Sequence, residues 1–398
     1  MLEYAGSQRT GLQAERREGV ALVGLLRSLD WILVTGVAGL VAVGLWAISG
    51  VTRFDDPGHP SYFLDRQIGY VVAGTLVLLA AVVVDPELYR RYWRAIFASA
   101  VGLIAVVLVM GRAARGSTRW IDVGFFTFQP SEFGKLLFVL AIAGFLAERA
   151  RGATEVGTTL RTLGLGLVPV VLVFAQPDLG TALVYLAALG AMLFVCGTPW
   201  KQLAALGALA VLIAVGVLWA GPAAGVEFLK SYQKERLICF THPATCPVDA
   251  RYNVEQSIAA VGSGEVNGRG PNNATQTRLD FLPEHHTDFV FASYSEQRGF
   301  VGASLLLALY LLVLWRGLRV VTVARDLYSA IVAGGIVVAL LFQIFVNVGM
   351  TMGIAPITGI PLPFVSVGGS SMIANLAAMG VLLAIHARGR ASRSSRRH

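Results

Sequence analysis

Apolar residues run along this chain in blocks of about twenty, separated by short clusters of charge, glycine and proline. A helix needs roughly 20 such residues to cross the hydrocarbon core of a membrane. Ten stretches meet or approach that length: 29–50, 66–84, 92–111, 132–150, 160–176, 179–197, 200–221, 288–316, 327–351 and 364–386. The pattern predicts an all-α polytopic membrane protein with about ten transmembrane helices. The first stretch is too long, and too far from the N-terminus, for a cleaved signal peptide, and is read as a retained span.

The boundaries follow: an N-terminal segment over 1–28, a single ten-helix membrane domain over 29–386, and a basic, Ser-rich tail over 387–398. An even number of spans puts both termini on one side. That side carries nineteen of the Lys and Arg residues, against five in the short loops of the other. Lys and Arg collect in cytoplasmic loops, so both termini are expected in the cytoplasm of a cell-membrane protein. Only the loop 222–287 is long, and it leaves the seventh span on the outer face. Its apolar and aromatic anchors (Phe228, Tyr232, Phe240, Tyr252, Phe281) suggest short helices packed on the membrane surface.

Composition narrows the picture. The chain is 55% apolar and only 14% charged, against about 25% charged in ordinary soluble domains. That excludes a soluble globule and a disordered chain. The net charge of +8 does not indicate nucleic acid, because the basic residues sit at the ends of apolar runs. Three cysteines cannot make a disulfide scaffold. Cys239 and Cys246, both in the outer loop, are a candidate disulfide in an oxidising compartment, and Cys196 lies within a span.

Charged and polar groups beside or inside a span are candidates for function. Glu132 and Lys135 follow Gln129-Pro130-Ser131 at a helix start, and their spacing lets them pair on one face. Arg119 stands shortly before them. Gln176-Pro177-Asp178-Leu179-Gly180-Thr181 makes a tight turn in which Asp178 or Thr181 could cap the next helix. The glycines of 262–264 and 268–270 lack the strand and helix of a dinucleotide site and suggest tight turns against lipid or substrate. In Leu282-Pro283-Glu284-His285-His286-Thr287-Asp288, Thr287 suits an N-cap, with Asp288 in the first turn, where the helix dipole favours a carboxylate. Adjacent histidines without a regular spacing seldom share an ion, so no metal ligand is assigned. Asp288 is the candidate general base at the water–lipid boundary. The last connection, 353–363, is uncharged and stiffened by three prolines, and leads into the small residues 366–371.

In this order, and on ten spans, these blocks resemble the SEDS family (shape, elongation, division and sporulation). The matching wording is Arg119-Trp120-Ile121 with Gln129-Pro130-Ser131-Glu132 and Lys135, then the turn 176–181. It continues with Tyr232-Gln233, Arg236, Gln256 and the two glycine triplets, and ends with blocks 282–292 and 356–371. The resemblance runs from about residue 30 to 386, and the wording of 357–364 is closer to the elongation branch, RodA, than to the division branch, FtsW. Departures are a local expansion at Cys239–Pro247, Asn272-Asn273-Ala274 for a usual Gly-Asn-Gly, Gln297-Arg298 after Glu296, and Val367 for a common tyrosine.

The resemblance implies the SEDS fold and a peptidoglycan glycosyltransferase that polymerises lipid II, a disaccharide-pentapeptide on undecaprenyl diphosphate. It implies a class B penicillin-binding protein as transpeptidase partner, together with elongation-complex membrane proteins. Carried over by motif, Asp288 is the catalytic aspartate, and Arg119, Glu132, Lys135, His286, Thr287 and Ser370 are substrate-binding positions. Such a reaction needs a base for the acceptor hydroxyl, positive charge for the leaving diphosphate and a greasy groove for two lipid tails. Asp288 suits the first and Arg119 the second, with Arg53, Arg278 or a divalent cation (Mg or Mn) as rivals. A single base without a second carboxylate suggests direct displacement with inversion. A flippase for the lipid-linked precursor and a non-catalytic scaffold of the cell-wall machinery are the alternative readings.

Overall fold

The computed structural model describes residues 28–56, 58–110, 112–114, 117–122, 124, 127–217, 236, 239–240 and 248–395. The N-terminal segment, much of the long loop and Cys246 lie outside them. Apolar runs become helices because a helix satisfies every backbone N–H and C=O internally, the only economical solution in lipid. In chain order these are α1 (Trp31–Val51), α2 (Tyr62–Val83), the short α3 (Pro86–Arg91) and α4 (Trp93–Met110). Then come α5 (Pro130–Glu148), α6 (Val156–Ala175), α7 (Leu179–Cys196) and α8 (Trp200–Val215). After the long loop's α9 (Val248–Ser263) and α10 (Thr275–Arg278) follow α11 (Val290–Val323), α12 (Leu327–Thr351) and α13 (Gly369–Ser395).

Nine of the described helices are long and apolar enough to cross a membrane. The seventh expected span appears as the shorter apolar α8, whose continuation beyond residue 217 lies outside the described residues. Helices α5, α12 and α13 are mostly buried and form the centre, whereas α2 and α4 keep most of their surface outward. The helix of the last span runs on to Ser395, so the basic tail begins as a helical extension rather than as a separate segment.

Local signals set several helix ends. Asp30 caps α1 by accepting from the Leu33 N–H at 3.2 Å and also binds the Arg316 guanidinium, fastening α1 to α11. Pro130 opens α5, and Asp178 caps α7 by accepting the Thr181 N–H at 3.1 Å. A small antiparallel sheet, β1 (Arg112–Ala114), β2 (Ser117–Asp122) and β3 (Thr127–Phe128), stands between α4 and α5. The helical expectation omitted it, because β1 and β3 are very short and β2, Ser-Thr-Arg-Trp-Ile-Asp, does not alternate apolar with polar residues.

Helix α11 is interrupted at Gly299 (φ 64°, ψ −165°), and the glycine-rich segment 264–270 forms a collar around the break. Main-chain N–H groups of Arg269 and Gly270 donate to the carbonyls of Glu296 and Gln297, and those of Phe300 and Val301 to Glu265 and Val266. The glycines therefore allow close approach to protein backbone, where lipid or substrate was expected. Glu296 accepts the Gln276 and Thr277 N–H groups and the Thr277 hydroxyl, which ties α10 to the same place.

Gly299 occupies a backbone region essentially reserved for glycine, and a Cβ there would meet the Val266 carbonyl oxygen at 2.6 Å. Gly299→Ala is expected to cost at least about 1–3 kcal/mol. In contrast, Gly207→Ala, in the open flank of α8, should be neutral or stabilising. Thermal unfolding in detergent, followed by circular dichroism, checks both.

Candidate active site

Asp288 stands two residues before α11. The N–H groups of Thr287 and Phe289 both donate to the Glu284 carbonyl, at 3.1 and 3.2 Å, so a turn closes first and the helix begins at Val290. Thr287 therefore does not cap α11; its hydroxyl donates to Glu284 Oε2 at 2.8 Å, and Phe289 holds the N-cap position. Asn347 of α12 donates its amide to the carbonyls of both Asp288 and Ile360, each at 2.8 Å. The Ser366 hydroxyl donates to the Thr287 carbonyl at 2.6 Å, and the Val367 N–H to the His286 carbonyl at 3.0 Å. The 282–289 and 356–368 connections thus form one unit at one end of the bundle.

Charges converge on this unit. A Cβ on Gly359 (φ +73°) would stand 3.3 Å from Asp288 Oδ2, 3.6 Å from Arg236 Nη1 and 3.9 Å from Arg119 Nη1. Arg119, carried by β2, donates through Nη2 to the Pro177 carbonyl at 2.6 Å. Its Nη1 lies 3.7 Å from Asp178 Oδ1, and its buried Nε has no hydrogen-bond partner among the described residues. The Asp288 carboxylate keeps some accessible surface and makes no hydrogen bond or ion pair among the described residues. Burial in this mouth, then the negative charge of Glu284, push its pKa up to about 6 against the opposing pull of Arg236 and Arg119; Asp178 adds to the rise. An acid tuned this way is ionised near neutrality yet basic enough to accept a proton.

Glu132 and Lys135 pair as their spacing suggested, with Nζ 2.9 Å from both carboxylate oxygens, and both are buried. They line a small cleft of about 30 Å³ between α5, α12 and α13. Gln343 and Asn375 are its other polar lining residues, and Val139, Leu340 and Met379 are among its apolar ones. The Gln343 amide nitrogen is buried without a partner among the described residues. Ser370 accepts the Gln129 N–H at 2.9 Å and donates to the Thr127 carbonyl at 3.2 Å, joining the start of α13 to β3 and α5.

The adjacent histidines both face Asp55, in the connection between α1 and α2. His285 Nε2 is 3.0 Å from each Asp55 oxygen, and His286 Nδ1 is 3.7 Å from Oδ2. Burial lowers the His285 pKa, but the hydrogen bond and charge of Asp55, the charge of Asp280 and the Leu282 carbonyl outweigh it and hold it above the ordinary value. Arg53 and Arg278 lie against Phe54, and Arg278 donates to the Asn272 carbonyl. Arg236 and Asp178, not among the chosen site residues, prove to flank Asp288. Arg236 belonged to a quoted motif of the long loop, and Asp178 to a turn read as structural. Cys239 is disulfide-bonded and Cys196 is free.

Fold and site define a polytopic membrane protein with a tuned carboxylate at one end of the bundle and a charge-lined cleft among its central helices. The family described as cell cycle protein (FtsW/RodA/SpoVE) matches residues 27–391, and the chain belongs to it. The peptidoglycan glycosyltransferase MrdB of Escherichia coli is 34% identical, covering 87% of this chain and 92% of that one. Peptidoglycan glycosyltransferase RodA of Treponema pallidum is 32% identical, covering 90% and 98%. Among solved structures, a chain from work on structural coordination of polymerization and crosslinking by a peptidoglycan synthase complex superposes with a TM-score of 0.76. It is 32% identical, over 91% of this chain and 98% of that one. The rod shape determining protein RodA of Thermus thermophilus gives 0.66 at 30% identity, over 90% and 96%.

Removing one partner of a buried ion pair strands the other, at about 3–5 kcal/mol. Lys135→Ala is expected to lower the unfolding midpoint markedly, whereas Glu132→Gln combined with Lys135→Met should recover most of the loss. Thermal unfolding of the two variants, beside the parent, measures the difference.

Proposed function

We propose that the chain is a peptidoglycan glycosyltransferase that polymerises lipid II during cell elongation. The observation that carries the reading is the Asp288 carboxylate, without a hydrogen bond or ion pair among the described residues, raised to about 6 and gathered with Arg236 and Arg119 around Gly359. Asp288 takes the proton of the acceptor sugar's hydroxyl as that oxygen attacks the anomeric carbon of the donor. The bond to the undecaprenyl diphosphate breaks on the opposite face, with inversion. Arg119, with a buried Nε left over, and Arg236 stabilise the charge that develops on the leaving diphosphate. A magnesium or manganese ion would add to that charge, and the Glu284 carboxylate offers the oxygen ligation such ions prefer. The Glu132–Lys135 pair, His286, Thr287 and Ser370 shape the walls along which the substrates lie.

The excess of Lys and Arg at the other end of the bundle supports an outward-facing site with both termini in the cytoplasm. Relatives called peptidoglycan glycosyltransferase support the activity, and the likeness to a chain from a peptidoglycan synthase complex supports a class B penicillin-binding protein as partner, among other elongation-complex membrane proteins. The elongation branch rests on the wording of 357–364. A flippase would carry its site at broken helices near the membrane midplane, whereas Asp288 precedes the first turn of α11.

Asp288→Asn keeps the shape and removes the base. Purified with its partner and given lipid II, the variant is expected to lose at least about 10²-fold in polymer formation on a glycan gel; polymer at the parental level would refute the assignment. Because the base must be ionised, the parental rate should fall as pH drops through about 6 and level off above it. An initial-rate profile between those limits tests the sign.

A further inference from the structure

We propose that Asp55, His285 and His286 form a binding site for a divalent transition metal of the zinc type, next to the mouth that holds Asp288. One carboxylate oxygen and one nitrogen from each imidazole lie within 4.8 Å of one another. Asp55 Oδ1 and Oδ2 are both 3.0 Å from His285 Nε2, and Oδ2 is 3.7 Å from His286 Nδ1. Ligand atoms around tetrahedral zinc stand roughly 3.4 Å apart, given metal–ligand bonds of about 2.0–2.1 Å. The cluster therefore closes on an ion with side-chain movements of under about 1 Å for these Asp55–histidine pairs.

The surroundings of His285 point the same way. Its Nδ1 is 3.1 Å from the Leu282 carbonyl, which can only accept, so Nδ1 carries the hydrogen and Nε2 is left to face Asp55. Asp280 Oδ1 lies 3.4 Å from the same Nδ1. An imidazole whose rear N–H is held by a carbonyl and a carboxylate, with its other nitrogen turned to a second ligand set, has the arrangement of a metal-ligating histidine. A proton on Nε2 would satisfy His285 alone. It does not draw in His286 Nδ1, which at 3.7 Å lies beyond hydrogen-bond distance of the same carboxylate. The His285 side chain is 6% exposed, Asp55 16% and His286 23%, which screens the cluster from bulk water yet leaves a path for an ion. Two nitrogens and a carboxylate suit zinc better than magnesium or calcium, which prefer oxygen.

The ion would fasten the α1–α2 connection to the loop two residues before Asp288 and so act as a clamp on the base. This inference is independent of the glycosyltransferase reading, because its test reads binding. The full-length, tag-free protein in detergent is stripped with a chelator and titrated with zinc chloride by calorimetry. One zinc per chain is expected. Asp55→Asn and His285→Gln should each weaken binding by at least about tenfold. X-ray absorption at the zinc edge of the loaded parental chain should show two imidazole nitrogens with carboxylate oxygen. That measurement decides the matter even if a variant fails to fold. Absence of saturable binding, undiminished binding by both variants, or a sulfur-dominated spectrum would overturn the site.

Discussion

One buried amide ties the functional end together. Asn347 reaches from the end of α12 to the carbonyls of Asp288 and Ile360 and so fixes two connections that are far apart in sequence. Neither connection has regular structure of its own to hold it. A loop carrying a tuned acid beside two guanidinium groups must be over-determined, because the repulsion of Glu284 and Asp178 would otherwise push the carboxylate toward solvent. The Ser366 and Val367 hydrogen bonds act in parallel with the amide, and Gln67 adds another by accepting the Gly368 N–H. Gly359, with nothing beyond its Cα, leaves the room in which the three charges meet.

The apolar frame and the charges answer different physical demands. Burial of α5, α12 and α13 gives a rigid centre. Within it, the Glu132–Lys135 pair is neutral as a unit and tolerable in a low-dielectric setting, and it shares the lining of the cleft with apolar Leu340 and Met379.

Much of this was legible in the sequence. Long apolar runs announced the spans because lipid enforces a length of its own, and the pairing of Glu132 with Lys135 followed from helical spacing. Asp288 stood out as an acid beside the start of a span. The small sheet bearing Arg119 was not legible: β1 and β3 have only three and two residues, and the six-residue β2 runs Ser-Thr-Arg-Trp-Ile-Asp without alternating apolar and polar positions. Arg236 and Asp178 were passed over as site residues for another reason: their nearness to Asp288 is a product of tertiary packing between the long loop, the 176–181 turn and the last connection. Asp55 is the clearest case, lying some 230 residues from His285. Adjacent histidines looked unsuited to a shared partner, and only an irregular loop, free of helical or strand geometry, lets both rings turn the same way.

The collar around Gly299 is built from main-chain donors and acceptors. Its strength therefore does not depend on what Val266 or Asn267 carry as side chains, provided the glycines remain, whereas Glu265 at φ 49° stands where a β-branched residue fits poorly. Val266 and Asn267 are open to drift, and a lineage could recolour this surface, adding or removing charge for a new binding neighbour, without loosening the broken helix that follows the candidate site.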